Sequence, residues 1–412
     1  MCKGLTRRDW LVLSGLAAGA MATRPAEGAT RPTEAARPAS TGPTEPVSVA
    51  KVRSYDEDLT ARFRKMFDEI GGIGNQVKGK TVGIKVNLTG GGSFPGYTPG
   101  DTHWVHPRVV GAVVAAFGAL GAKRVRILEG AENRKRSYKL EDKMLSGGWD
   151  VNAIRNAAPL VEFEDTDPVG QAKQYSLLKV KTTPYVFPAF QMNHSYEDCD
   201  FFVSLSKMKN HEEMGLTLCI KNLFGITPLG VYRNRETVFH YGQVQAPSGA
   251  PAELDPKSNR YEGWRLPRVL VDILAARPVD LAICDGIVSM VGGEGPWVLG
   301  SKPVHPGLLV VGKNCVNTDA VTAAVMGYNP RAGRHEAPYR VFKDPKDHPP
   351  EQLTPGDEPF QYADNMALLA EAVGLGSADV SQIDVRGVPI KHAMFEYEAF
   401  WKSQMPKGQG QS

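Results

Sequence analysis

The chain has 412 residues, 42% hydrophobic and 23% charged, an ordinary globular composition that supports one large domain or two smaller ones. Lysine and arginine number 48 against 45 acidic residues; residues 1–47 hold six of the former and four of the latter, so the remainder is nearly neutral and its charge gives no support to nucleic-acid binding. Five cysteines with no CxxC exclude a thioredoxin-like motif and the usual cysteine-rich zinc or iron–sulfur signatures, so no intrinsic iron–sulfur cluster is expected.

The N-terminus reads as an address. In "TRRDWLVLSGLAAGAMA" the pair Arg7–Arg8 precedes a short apolar, Gly/Ala-rich stretch, which looks like a twin-arginine export signal over 1–28. The apolar run is too short for a membrane crossing, which needs roughly 20 residues, so no transmembrane span is expected in the mature chain. The expected destination is periplasmic or extracellular, with the twin-arginine translocase as a partner during export. Residues 29–48 are rich in proline and poor in large apolar side chains, as a disordered linker is. An α/β domain is expected over 49–330, and a peripheral extension over 331–412.

Within the domain, "SYDEDLTARFRKMFDEIGG" (54–72) has apolar residues at helical spacing, closed by glycines. "TVGIKVNL" (81–88), "HPRVVGAVVAAFGALGA" (106–122) and "KRVRILEG" (123–130) read as strand, helix and strand, a βαβ unit with parallel strands. "CDFFVSLS" (199–206) is a further strand. "LPRVLVDILAA" (266–276) is a helix before the strand "PVDLAICDG" (278–286), and "GLLVVG" (307–312) leads into the helix "TDAVTAAVMG" (318–327). A helix is expected within 365–376. The alternating, proline-containing stretch 175–192 suits an antiparallel appendage. The fold class is α/β: a mainly parallel sheet flanked by helices, with a small antiparallel appendage.

Open parallel sheets bind ligands beyond the carboxyl ends of their strands. After 81–88, Gly90, Gly91 and Gly92 form a candidate anion cradle ahead of a helix N-terminus, with a flexible turn as the alternative. The sequence matches neither dinucleotide nor P-loop patterns. In the same loop Asp101, His103 and His106 can ligate a metal, exchange protons, or simply cap and solvate the helix start. Glu129 and Glu132 follow 123–128 on the exit loop, where one can serve as an acid or ligand, with a surface carboxylate as the alternative. Asp285 ends the strand at 278–284, and Glu294 sits in a second glycine-rich loop. Asp319 reads as an acid complementing a helix dipole, and Cys199, Cys219, Cys284 and Cys315 read as buried small hydrophobes or one disulfide.

"KMKNHEEMGLTLCIKNLFGITP" (207–228) is the richest strand end. Lys207, Lys209 and His211 share one side if the strand continues, while 216–224 suits a short helix with Thr217 and Lys221 one turn apart. Lys221 beside apolar residues is a candidate base or anion anchor, with solvated surface as the alternative. Lys221, His211, Glu294 and Asp285 are the candidate catalytic groups; Lys207, Lys209, Asn222 and Gly90 to Gly92 are the candidate ligand contacts.

Taken together, "KVNL", "HPRVV", "GAKRVRILEG", "VSLSKMKNHEEMGLTLCIKNLFGITP", "DLAICDGIVSMVGGEGP" and "NTDAVTAAVMGY" resemble the DUF362 family over about residues 80–330. Many members of that family carry a ferredoxin-like cysteine cluster, which this sequence lacks. A fainter likeness runs to the N-terminal domain of nickel-pincer lactate racemases, which implies hydride or proton transfer at a hydroxy acid around a nucleotide-derived nickel cofactor. The function expected is that of an exported protein binding a small anionic carboxylate or phosphate, with acid/base or metal-assisted chemistry. The alternatives are a non-catalytic periplasmic ligand- or metal-binding protein and an electron-transfer accessory.

Overall fold

The computed structural model describes residues 42–92, 94–130, 139–167, 175–232, 251–342 and 360–404. The expected export signal and most of the expected linker lie outside them, as does Glu132. The strands are β1 (Val47–Lys51), β2 (Thr81–Lys85), β3 (Arg124–Glu129), β4 (Val161–Asp165), β5 (Tyr175–Lys179), β6 (Ala189–Asn193) and β7 (Phe201–His211). They continue with β8 (Gly215–Thr217), β9 (Leu281–Val291), β10 (Lys302–Val304), β11 (Leu308–Gly312), β12 (Arg340–Phe342), β13 (Phe360–Tyr362) and β14 (Val385–Gly387).

The main sheet runs β14-β1-β11-β9-β7-β2-β3-β4, with β10 added to β9 and β8 to β7. Strands β9, β7, β2, β3 and β4 are mutually parallel, so their carboxyl ends share one edge. At the other side, β11 pairs antiparallel with β9 and β1 antiparallel with β11. The fold is α/β with a large mixed sheet of mostly parallel strands, plus two small antiparallel sheets, β5-β6 and β12-β13.

Helices cover both faces because alternate strand residues point oppositely. Leu281, Ile283, Val203 and Leu205 enter the layer shared with helices Leu59–Glu69 and Pro107–Ala119. Ala282, Cys284 and Val310 enter the opposite layer, with helices Glu262–Ala276 and Cys315–Val325.

Three sequence expectations change. The first helix begins at Leu59 rather than near Ser54, because the Asp58 side chain caps it by accepting from the Ala61 N–H at 3.0 Å; this releases Tyr55 into the interior. Strands β7 and β9 run past Ser206 and Gly286 to His211 and Val291, since β8 and β10 supply antiparallel partners to their ends. The segment after Pro330, expected at the periphery, is built into the molecule: β14 pairs with β1, helix Met366–Ala372 buries Met366 and Ala370, and Tyr397 is fully buried.

Candidate functional site

The prolonged β7 and β9 place charged residues in the interior, where chain exits normally leave them in water. Lys207 and Asp285 are both fully buried, 3.1 Å apart. Lys207 Nζ also donates to Tyr55 Oη at 2.9 Å and to the Gly100 carbonyl at 2.8 Å. Asp285 accepts from the Tyr55 hydroxyl at 3.1 Å and from the His106 N–H at 2.9 Å. Burial lowers the Lys207 pKa against the opposing pull of Asp285, and burial and Asp285 together push Tyr55 well above its ordinary value.

Two residues on, the fully buried Lys209 donates to the His103 carbonyl at 2.7 Å. His211 follows with Nδ1 3.8 Å from Glu294 Oε2. Because Nδ1 accepts from the Glu213 N–H at 3.1 Å, the ring carries its proton on Nε2. Burial pushes His211 down to about 3 despite Glu294, so the ring is neutral at ordinary pH. Burial works against an ionised Glu294, but the His211 ring, protonated at the low pH where Glu294 titrates, the Glu212 N–H at 3.1 Å and the Trp297 indole N–H at 3.0 Å outweigh it and hold the carboxyl at about 2.

The expected metal trio does not converge. His106 caps the helix at Pro107, its Nδ1 accepting from the Arg108 N–H at 3.1 Å, while its ring stacks on Tyr55 at 3.6 Å. His103 engages both ring nitrogens, with Thr102 Oγ1 at 2.9 Å and the Gly91 carbonyl at 3.0 Å. Asp101 is half-exposed, 3.8 Å from His106 Nε2. Burial lowers His103 to about 3 and His106 to about 4. Among the described residues, the group whose ligand atoms all lie within 4.8 Å is instead Cys219, Cys284 and Asp319.

The glycine cradle is occupied by an aromatic ring. A Cβ on Gly90 would fall 2.6 Å from Trp297 Cζ3, and one on Gly92 would fall 2.8 Å from Ser146 Oγ. Trp297 also stands edge-on to His103 at 5.1 Å, with Phe94 beside it at 5.5 Å. It is 36% exposed, so this ring forms the solvent side of the cluster.

Asn222 belongs to a neighbouring network that the sequence reading left out. Lys85, buried at the end of β2, lies 2.5 Å from Glu129 Oε2 and donates to Asn222 Oδ1 at 3.2 Å. Asn87 Nδ2 donates to the same oxygen at 3.2 Å. Asn222 in turn donates to the Lys85 carbonyl and to Ser204 Oγ, at 3.2 and 3.1 Å, and among the described residues buried Asn87 Oδ1 has no hydrogen-bond donor. Lys221, half-buried, stands over the Phe224 ring at 4.8 Å, and its charge bears on His211. The signal for Lys85 and Asn87 was their place at a strand end, "KVNL"; Tyr55 had none, since it reads as part of an amphipathic helix.

A family model, "Domain of unknown function (DUF362)", matches residues 82–324. A thylakoid-associated protein of Synechocystis sp. is 27% identical over 291 residues, covering 69% of this chain and 75% of that one. A Thermotoga maritima protein of known crystal structure shows 13% identity and a TM-score of 0.30, over 58% of this chain and 52% of that one.

Proposed function

This chain belongs to the DUF362 family, and on that premise we propose that the carboxyl edge of β2, β7 and β9 binds a small carboxylate or phosphate anion and exchanges protons with it. The observation that carries the proposal is the burial of Lys85, Lys207 and Lys209 to 1% exposure or less along that edge, with Glu129 beside Lys85, Asp285 beside Lys207 and Glu294 beside His211. Each buried ion costs several kcal/mol in desolvation, and well-packed apolar residues could stabilise the fold equally well. Such a concentration at strand ends is what a binding site requires, and perturbed groups gather at such sites. In this reading Lys209 holds the anion by a charge-assisted hydrogen bond, Lys85 and Lys207, whose three N–H groups each bond within the protein, add positive field, neutral His211 offers Nε2–H, and Trp297 shields the site from water.

Isothermal titration of the purified full-length chain with acetate, lactate and inorganic phosphate tests the proposal. One of these binds the wild type, and Lys209→Met weakens that binding roughly ten- to hundredfold. If neither the wild type nor Trp297→Ala binds any of the three, the reading fails.

A non-catalytic binding role is favoured by one feature: His211 Nδ1 is committed to backbone N–H groups of Glu213 and Met214. Turnover of any bound anion by the purified chain would remove it. We also propose twin-arginine export followed by association with a membrane surface, supported by Arg7–Arg8 and by the name of the cyanobacterial relative. No described helix is long and apolar enough to cross a membrane. Fractionation of cells carrying Arg7→Lys/Arg8→Lys should find the chain retained in the cytoplasm, and unchanged fractionation would overturn that part.

A further inference from the structure

On the face of the sheet opposite Lys207 and Asp285, four elements converge on a small group of sulfur and oxygen atoms. Cys284 comes from β9, Ser206 from β7, Cys219 from the short helix Cys219–Asn222, and Asp319 from helix Cys315–Val325. All four are buried. The Cys219 and Cys284 sulfurs are 3.6 Å apart, and Ser206 Oγ lies 3.4 Å from each. A carboxylate oxygen of Asp319 and the two sulfurs all fall within 4.8 Å of one another.

We propose that Cys219, Cys284 and Asp319, with the Ser206 hydroxyl as a fourth ligand, form a structural site for a thiophilic divalent cation such as zinc. Zinc–thiolate bonds of about 2.3 Å in a tetrahedron place two sulfurs about 3.8 Å apart, close to the separation found here. A disulfide would require about 2.05 Å. Soft thiolates with one carboxylate suit zinc and its neighbours better than magnesium or calcium, which prefer all-oxygen sites.

Asp319 is held for this role. Its two oxygens accept from the Cys219 and Ile220 N–H groups, both at 2.9 Å, which fixes the carboxylate while leaving it further lone pairs. Binding releases the two thiol protons, and the Asp319 proton wherever that carboxyl is protonated: the thiols of Cys219 and Cys284 become thiolates, the cation takes both sulfurs and an ionised Asp319, and the assembled group carries a net charge of minus one. Because the donors are buried, the ion enters as the chain folds. It then ties β9 to the helix bearing Asn222, behind the proposed anion site but independently of whether an anion binds there.

The test is refolding of the full chain with zinc or cobalt(II), followed by removal of free metal. Retention of about one equivalent is expected, with thiolate-to-cobalt charge-transfer absorption for the cobalt form. Cys219→Ala and Cys284→Ala lower retention by roughly tenfold or more, whereas Cys199→Ala, remote from the group, retains the ion. Absence of metal retention and of the charge-transfer band in the refolded wild type overturns the proposal, even if the variants do not fold. Equal retention by the Cys219→Ala/Cys284→Ala double variant, or a Cys219–Cys284 disulfide in the native chain, also overturns it.

Discussion

Lys207 Nζ and Asp285 Oδ2 face each other at 3.1 Å with no exposure to solvent, across the register pairing of β7 with β9. A single substitution, Lys207→Met or Asp285→Asn, leaves its partner buried without its counter-ion and is expected to cost about 3–5 kcal/mol. Urea unfolding of the two singles and of Lys207→Met/Asp285→Asn checks this. The double variant should recover much of the loss, because no lone charge remains. A double variant no more stable than the sum of the singles would mean that the pair contributes little to the fold.

The Lys85–Glu129 pair makes a different prediction, through a neighbouring backbone. A Cβ on Gly225 would meet Lys85 Nζ at 2.8 Å and Glu129 Oε1 at 3.0 Å. Gly225→Ala therefore has to push apart a buried ion pair, at an expected cost of about 1–3 kcal/mol. In a Lys85→Met background the same change should cost a different amount, because the ammonium is gone; identical costs would show that the contact is inert.

How far the sequence revealed this site depends on what each residue's signal was. Lys207, Lys209 and His211 were legible because the two-residue period of a strand puts them on one side, and β7 continues through all three. Lys85 and Glu129 were harder to see, since an exit-loop carboxylate looks like surface until the ammonium of another strand is placed beside it. Tyr55 could not be read at all: it reaches Asp285 across 230 residues of sequence, after an Asp58 cap stops the helix short. His106 was legible only as an ambiguity, which the cap on Arg108 resolves toward structure. The cysteines look like ordinary small hydrophobes along the chain, and only the crossing of β7, β9 and two helices brings Cys219 to Cys284.

Acid should weaken the fold, and the histidines give the window. His211 and His103 are lowered from 6.5 to about 3, and His106 to about 4, mainly by burial. In each case the unfolded chain binds the proton more readily, so stability is complete above pH 6.5 and is lost as the pH falls toward the folded values. Glu294, depressed from 4.5 to about 2, acts in the same direction at lower pH. Asp319 and Asp272 oppose them: burial raises them to about 7 and about 6, so they favour the fold more as the pH drops. Each histidine contributes a limiting slope of about 1.4 kcal/mol per pH unit. Denaturant unfolding from pH 7 to 4 should therefore show a shallower acid loss for His211→Gln than for the wild type; parallel curves would mean that His211 is protonated alike in both states.

The Trp297 ring over Gly90 can be separated from the backbone beneath it. Gly90 has φ +75, a left-handed conformation, and its missing Cβ is what lets Trp297 Cζ3 approach to the 2.6 Å point. Gly90→Ala thus combines two costs. The left-handed strain is about 1 kcal/mol and is present whatever surrounds it. Displacement of the ring adds to this, because Trp297 is also held by its bond to Glu294 and by its edge contact with His103. The wild-type background should therefore lose about 1–3 kcal/mol in total, with a shift in tryptophan emission that Trp297→Ala abolishes. In the Trp297→Ala background, Gly90→Ala should cost the strain alone, so the double-mutant cycle isolates the ring contact. An equal cost in both backgrounds would mean that Trp297 moves freely off the glycine and does not close the site.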